Sequence, residues 1–208
     1  VGVFKPVATG CRHEFDLGLV SSDAEFLAHC ADTMDNLATV CPVRYSEELA
    51  PMAAAERSKR PIDFEAIREA RRRIASHSDV MIIEGVGGLL VPVDAKTKVV
   101  DLASELGLPL VVVGRAGLGT INHTLLTIEA AQSRGLTVEA VVLNHYQSMQ
   151  ASLAEETNPE MIARLAGVPM PVVVPFDERV NPEKGVLTES VLYPLRNLVR
   201  NRLRMHKS

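Results

Sequence analysis

The chain has 208 residues, 47% of them hydrophobic and 23% charged, with a net charge of −4 at neutral pH. That length suffices for one α/β domain with a full core, and the balance is ordinary for a soluble globular protein. With no basic block, no tryptophan, 4% aromatics and no apolar run near the roughly 20 residues a bilayer demands, the sequence argues against a nucleic-acid groove, a base-stacking platform and a membrane helix.

The chain opens without a methionine on Val1-Gly-Val-Phe-Lys-Pro-Val7, which reads as a strand already under way and raises the expectation of missing upstream residues. These opening residues are not expected to be a signal peptide. Val1 to Phe4 is predicted as a strand that ends at Lys5-Pro6, because proline cannot donate to a ladder. A polar loop leads to a helix opened by Asp23 and running to about Ala31, with Phe26, Leu27 and Cys30 on one face. Glu47 to Arg57 reads as a helix interrupted by Pro51, and Pro61 suits the first turn of a helix from about Ile62 to His77. In that helix Ile67, Ala70 and Ile74 form the apolar stripe, and Arg71-Arg72-Arg73 reads as a solvated face. Val80 to Ile83 has no polar face and predicts a strand buried on both sides, which stops at Glu84 and the glycines Gly85, Gly87 and Gly88. A short helix over Val99 to Leu106 precedes a second buried strand, Leu108 to Val113. Gly114 to Thr120 leads into a helix from about Asn122 to Arg134. Thr137 to Leu143 is the next strand, Pro159 to Ala166 a helix with proline in its first turn, and Pro171 to Pro175 the last strand. Glu189 to about Met205 reads as a helix with Leu192, Leu195, Leu198/Val199 and Leu203 on its apolar side. This alternation predicts an α/β fold, a mostly parallel sheet with helices on both faces, in one domain over residues 1–208.

In a parallel sheet the residues just after strand ends share one edge, where open α/β sheets bind ligands. Here those residues are Lys5, Glu84 to Gly87, the 114–120 loop, Asn144 and Pro175-Phe176. A cation, a carboxylate able to hold Mg²⁺, glycines and an amide suit a nucleoside triphosphate, since phosphoryl transfer needs charge neutralisation and positioning. Two simpler readings stand beside this one. Glu84 is an ordinary strand-to-loop carboxylate facing water, and Asp23 is favoured by free donors and the dipole of a first helical turn. Gly114 to Thr120 lacks the Gly-Lys-Ser/Thr of a Walker A loop and reads as a plain strand-to-helix turn; no other stretch matches Walker A or a dinucleotide fingerprint. The six histidines lack zinc spacing and no Gly-x-Ser-x-Gly elbow is present. Cys11, Cys30 and Cys41, odd in number and sparse, fit a reducing cytosol rather than a disulfide framework.

Lys5-Pro-Val-Ala-Thr-Gly10, Ser22-Asp-Ala24, Ile83-Glu-Gly-Val-Gly-Gly88, Gly117-Leu-Gly-Thr-Ile-Asn-His123, Leu143-Asn144 and Val174-Pro175 occur in an order that resembles the ATP-dependent dethiobiotin synthetases over nearly the whole chain. The resemblance implies a P-loop NTPase-like three-layer fold and an ATP- and Mg²⁺-dependent cyclo-ligase. Such an enzyme converts 7,8-diaminononanoate and CO₂ to dethiobiotin through a phosphorylated carbamate. It implies that Lys5 is the catalytic lysine, that the Thr9 hydroxyl holds substrate, and that Asp23 and Glu84 are the Mg²⁺ carboxylates. Glu84, Gly85, Val86 and Gly87 would line the nucleotide phosphates. Asn144, beside His145, would read the adenine edge. Pro175, Phe176, Asp177 and Glu183 would close over the nucleoside. A cytoplasmic homodimer is implied as well, its active site at the two-fold interface, with the 145–158 segment as the expected contact region.

Two departures accompany the resemblance. The family begins with a strand and a Walker A loop roughly 30 residues upstream of its Lys-Pro-Val motif, and Met52 stands where the family commonly has His. The expectation is therefore a synthetase whose first strand and P-loop lie outside this sequence. The alternatives are a P-loop-less binding or regulatory relative, or a related P-loop amidoligase-type domain that shares the Glu-Gly-x-Gly-Gly strand end.

Overall fold

The computed structural model describes residues 1–201. In chain order the elements are β1 (Gly2–Phe4), β2 (Val7–Ala8), β3 (Arg12–Glu14), β4 (Gly18–Val20), α1 (Ser22–Ala31), α2 (Leu37–Val40), β5 (Val43–Arg44), α3 (Pro51–Ser58) and α4 (Phe64–Ala75). They continue with β6 (Met81–Ile83), α5 (Val99–Leu106), β7 (Leu110–Arg115), α6 (Thr120–Gln132), β8 (Val138–Tyr146), α7 (Leu153–Ala166), β9 (Val172–Pro175) and α8 (Glu189–Asn201). The chain divides into two compact units, one running to Val99 and one starting at Val100. In both, parallel ladders alternate with helices, as the hydrophobic patterning predicts. Leu203 and Met205, assigned from sequence to the last helix, lie outside the described residues.

In the first unit β1 runs parallel to β6, with Gly2 opposite Met81 and Phe4 opposite Ile83. The ladder continues one step further, where the Glu84 N–H donates to the Phe4 carbonyl at 2.9 Å. That register sets the end of β1 against the turn after β6. Gly2 is required where β1 meets α4, because a Cβ there would lie 2.5 Å from both Ile74 Cγ2 and Ser78 Oγ. Parallel β2–β5 and the antiparallel β3–β4 hairpin complete the strands of this unit. Val3, Ala8, Cys11, Ala24, Val40 and Cys41 pack into one apolar cluster.

The second unit is built on the parallel ladder β7–β8–β9. Alternation along β8 sends Val141 and Leu143 into a cluster with Ile128 and Ile162, while Ala140 and Val142 pack with Val174 and Leu198. Successive residues of a strand face opposite sides. Helices α6 and α7 therefore cover one face of this ladder and α8 covers the other.

Several sequence expectations need correction. Met81 to Ile83 are only partly shielded, with Ile82 48% exposed, and in β7 Val113 is 64% exposed. Both runs were expected to be buried on both sides. Among the described residues each strand is instead paired on one edge only, β6 with β1 and β7 with β8; β8, paired on both edges, is the strand buried on both faces. Pro51 starts α3 rather than interrupting a helix, since the first helical position requires no N–H donor. Pro159 lies inside α7, which starts at Leu153 because Ser152 and Glu155 form a capping box. Cys30 is exposed rather than packed with Leu27.

Candidate functional site

Among the residues singled out by the sequence, Lys5, Asp23, Glu84 and Gly85 meet in the first unit, and Asn144, His145, Pro175 and Phe176 lie together in the second. In the first unit the centre is Lys5, the residue after β1. Its backbone N–H donates to the Val40 carbonyl at 2.8 Å, which fixes the start of the side chain. The ammonium donates to Glu84 Oε1 at 2.7 Å and to the Gly85 carbonyl at 2.9 Å, and pairs with Asp23 Oδ2 at 2.8 Å. Three different stretches thus converge on one nitrogen: the end of β1, the first turn of α1 and the turn after β6.

The Lys5 side chain is 5% exposed, whereas those of Asp23 and Glu84 are 53% and 48% exposed. The cation is enclosed and its two partners open to solvent. Burial by itself would lower the Lys5 pKa. The hydrogen bonds to Asp23 and Glu84, with their charges, outweigh that and hold it above the ordinary lysine value. The lysine is therefore a fixed positive charge at neutral pH.

Asp23 does not cap its helix. Ser21 does, its hydroxyl accepting from the Ala24 N–H at 3.3 Å, which leaves the Asp23 carboxylate for Lys5. Gly87 takes φ +65°, and a Cβ there would meet Val91 Cγ2 at 2.9 Å, so this turn needs glycine for both conformation and space. Val86 sits in the same turn, partly shielded. Thr9 follows β2, and its hydroxyl makes no hydrogen bond within the described residues. Among the described residues no group of three His, Cys, Asp or Glu gathers as a metal-binding set. The donor chemistry still fits Mg²⁺, which takes hard oxygen ligands and is commonly held by one or two carboxylates together with substrate phosphates. Asp23 and Glu84 are such a pair.

In the second unit, β8 carries Asn144 and His145 and β9 ends on Pro175, which lies opposite Tyr146. The Phe176 N–H donates to the Tyr146 carbonyl at 2.9 Å, and this brings the Phe176 ring to 5.4 Å from the His145 ring. His145 has φ +62°, a left-handed conformation unusual for a side-chain-bearing residue, and the Asn144 side-chain oxygen accepts from its N–H at 2.9 Å. The Asn144 amide keeps its NH₂ group and a second carbonyl lone pair.

Asp177 follows β9 and is held by its own segment and the start of α8. Its carboxylate accepts from the Arg179 N–H, the Arg179 guanidinium and the Ser190 hydroxyl, and these hold its pKa well below the usual carboxylate range. Glu183 lies on a 3₁₀ turn, Pro182–Lys184, capped by Asn181. Asn158 was not anticipated from sequence: its NH₂ donates to the carbonyls of Ala116 and Gly117 at 2.8 and 3.3 Å and fixes the Gly114–Thr120 loop. Its position in the second turn of a helix offered no sequence signal. That loop joins β7 to α6.

A family model described as "AAA domain" matches residues 1–184. The chain is 34% identical over 191 residues to the ATP-dependent dethiobiotin synthetase BioD of Thermodesulfovibrio yellowstonii, covering 88% of this chain and 79% of that protein. It is 44% identical over 144 residues to the protein of that name from Anaeromyxobacter sp. (strain K), covering 69% and 64%. With the one from Bacillus cereus (strain G9842) it shares 36% identity over 197 residues, 93% and 78% of the two chains.

Proposed function

The chain belongs to the ATP-dependent dethiobiotin synthetase family, and on that premise we propose that it is an ATP- and Mg²⁺-dependent cyclo-ligase of biotin biosynthesis. It joins 7,8-diaminononanoate and CO₂ into dethiobiotin, and ATP becomes ADP and phosphate. The observation that carries this reading is the enclosed Lys5 ammonium between Asp23 and Glu84.

In this reading Lys5 serves the step at which negative charge gathers, first on the carbamate and then on the phosphoryl group that moves to it. A buried cation fixed before the reaction stabilises that charge with little reorganisation. Asp23 and Glu84 hold its pKa above the ordinary lysine value, which suits an electrostatic stabiliser rather than a base. Asp23 and Glu84 would hold Mg²⁺, which supplies charge neutralisation to the nucleotide phosphates. The glycine turn Gly85–Gly87 lets backbone approach those phosphates, and the unbonded Thr9 hydroxyl is available to the diamine. Asn144 reads the adenine edge, with Pro175, Phe176 and His145 forming the apolar and aromatic surface for the nucleoside. Asp177 and Glu183 shape that segment.

We further propose that the enzyme acts in the cytoplasm as a homodimer through the 145–158 segment. Met149 and Leu153, both large and apolar and almost fully exposed, support that choice of surface. Sedimentation should give a dimer at micromolar concentration, and Leu153→Glu should shift it to monomer. A wild-type monomer would remove this part of the proposal.

The activity itself is tested by phosphate release. Release should require 7,8-diaminononanoate, bicarbonate, ATP and Mg²⁺ together. Release that ignores the diamine would contradict the cyclo-ligase reading.

A further inference from the structure

The first unit contains a cleft of about 730 Å³ between the end of the β3–β4 hairpin, β5 and the connection from α3 to α4. It shares no lining residue with the Lys5 cluster. Its volume lies within the range of small-molecule pockets, roughly 300–1,000 Å³. Its walls combine Leu17, Leu19 and Phe64 with three arginines, Arg44, Arg60 and Arg68.

Two of those arginines are held by neutral groups. Arg44 donates to the Leu19 carbonyl at 2.8 Å. Arg60 donates to the Arg44 carbonyl, and its guanidinium lies 4.8 Å from the centre of the buried Tyr45 ring. The Tyr45 hydroxyl in turn donates to the Arg60 carbonyl at 2.8 Å, which closes the arrangement. Neither arginine has a carboxylate partner among the described residues. Two carboxylates line the same cleft: Glu65 pairs with Arg68, and Asp63 accepts from the Ala66 N–H at 2.9 Å as the cap of α4. Glu47 senses Arg60 only through space, its carboxylate being bonded to its own backbone N–H and to Ser46. Two planar cations are therefore positioned in a cleft with hydrogen-bonding capacity left over, since each guanidinium carries five N–H donors.

The wall also limits which anion suits the cleft. Phosphate sites are commonly built from backbone N–H groups, and Pro42 and Pro61 on this wall bring none. Arginine forks match a carboxylate bidentately, and the leucines and Phe64 match hydrocarbon. We propose that this cleft is a second small-molecule site that takes an aliphatic monocarboxylate, its carboxylate between Arg44 and Arg60 and its chain along Leu17, Leu19 and Phe64.

Isothermal titration of the protein with octanoate tests this, with octanamide and inorganic phosphate as comparison ligands. Octanoate should bind with a Kd below about 1 mM, and octanamide and phosphate each at least tenfold more weakly. Arg60→Gln should weaken octanoate at least fivefold with an unchanged circular dichroism spectrum, and Lys5→Ala should leave octanoate binding unaltered. Arg44→Gln is the second variant, and because the Arg60 side chain is exposed, Arg60→Gln decides if Arg44→Gln fails to fold. No heat with octanoate up to 5 mM (about five times that limit), equal binding of octanamide or phosphate, insensitivity to Arg60→Gln, or loss in Lys5→Ala would each overturn the proposal. Because binding is read without turnover, this result and the fate of the cyclo-ligase reading are separable.

Discussion

The Lys5 cluster and the Asn144–Phe176 corner are held in opposite ways. At Lys5 a buried cation is bound by two carboxylates and a carbonyl contributed from distant parts of the first unit. At Asn144 the bonds are local: the amide oxygen accepts from the next residue's N–H, a left-handed His145 follows, and its ring touches Phe176. The first arrangement is fixed by tertiary register. The second leaves donors and aromatic surface uncommitted. A fixed charge suits stabilisation of a transition state, and an uncommitted amide suits ground-state recognition.

The two clusters should separate in kcat and KM. Lys5→Ala should lower kcat by about 10²- to 10³-fold while the KM for ATP moves little. Asn144→Ala should raise the KM for ATP by about tenfold, the worth of one or two hydrogen bonds, with kcat nearly unchanged. Steady-state kinetics on the two variants checks both. Equal effects on kcat and KM in either variant would remove the distinction between the clusters.

A smaller effect is structural. Gly87→Ala should destabilise the protein by about 1–3 kcal/mol, because φ +65° and the close approach of Val91 both oppose a side chain. The reading is a lower midpoint in denaturant titration. Gly88→Ala, with open space around its Cβ position, is the control.

The two units should also differ in pH response. Lys5 has a raised folded-state pKa, so its contribution is complete below the ordinary lysine value of 10.5 and is lost as pH rises through the higher folded value. Asp177, in the second unit, has a depressed pKa. Its contribution is complete above the ordinary value of 3.8 and is lost as pH falls below it toward the folded value. Thermal melts against pH should show Lys5→Met flattening the alkaline arm and Asp177→Asn the acid arm. Glu155, held low by Ser152 and the Gln147 N–H, shares the acid arm. The smallest effect is at the thiols. Exposed Cys30 should react with iodoacetamide before Cys41, whose thiol burial pushes up to about 12.

The parts of the site legible in sequence were those carried by local pattern. A carboxylate and glycines after an apolar run marked Glu84 to Gly87, and proline after Lys5 marked a strand end. The convergence of Asp23 on Lys5 was not readable from spacing. It depends on the β1–β6 register and on Ser21 taking the capping role, and the family resemblance supplied what periodicity could not. The apolar runs at Met81 and Leu110 suggested burial on both faces because hydrophobicity reports side-chain character and not how many edges of a strand are paired. Pro159 was misplaced for a related reason: the capping box at Ser152 and Glu155 fixes the helix start and outweighs the preference of proline for a first turn. Asn158 and the Arg44–Arg60 pair carry no motif, and only the fold brings them to their partners.

In the proposed reaction Lys5 is the charge that supports carbamate phosphorylation. The most direct measurement follows ¹³C from bicarbonate by mass spectrometry in reactions with 7,8-diaminononanoate and MgATP, using wild type and Lys5→Ala in parallel. The expected result is label in the ureido carbon of dethiobiotin, one ADP per ring closed, and near-complete loss of labelled product in Lys5→Ala although ATP still binds. Labelled dethiobiotin formed equally well by Lys5→Ala, or ATP turnover without labelled product in the wild type, would contradict it.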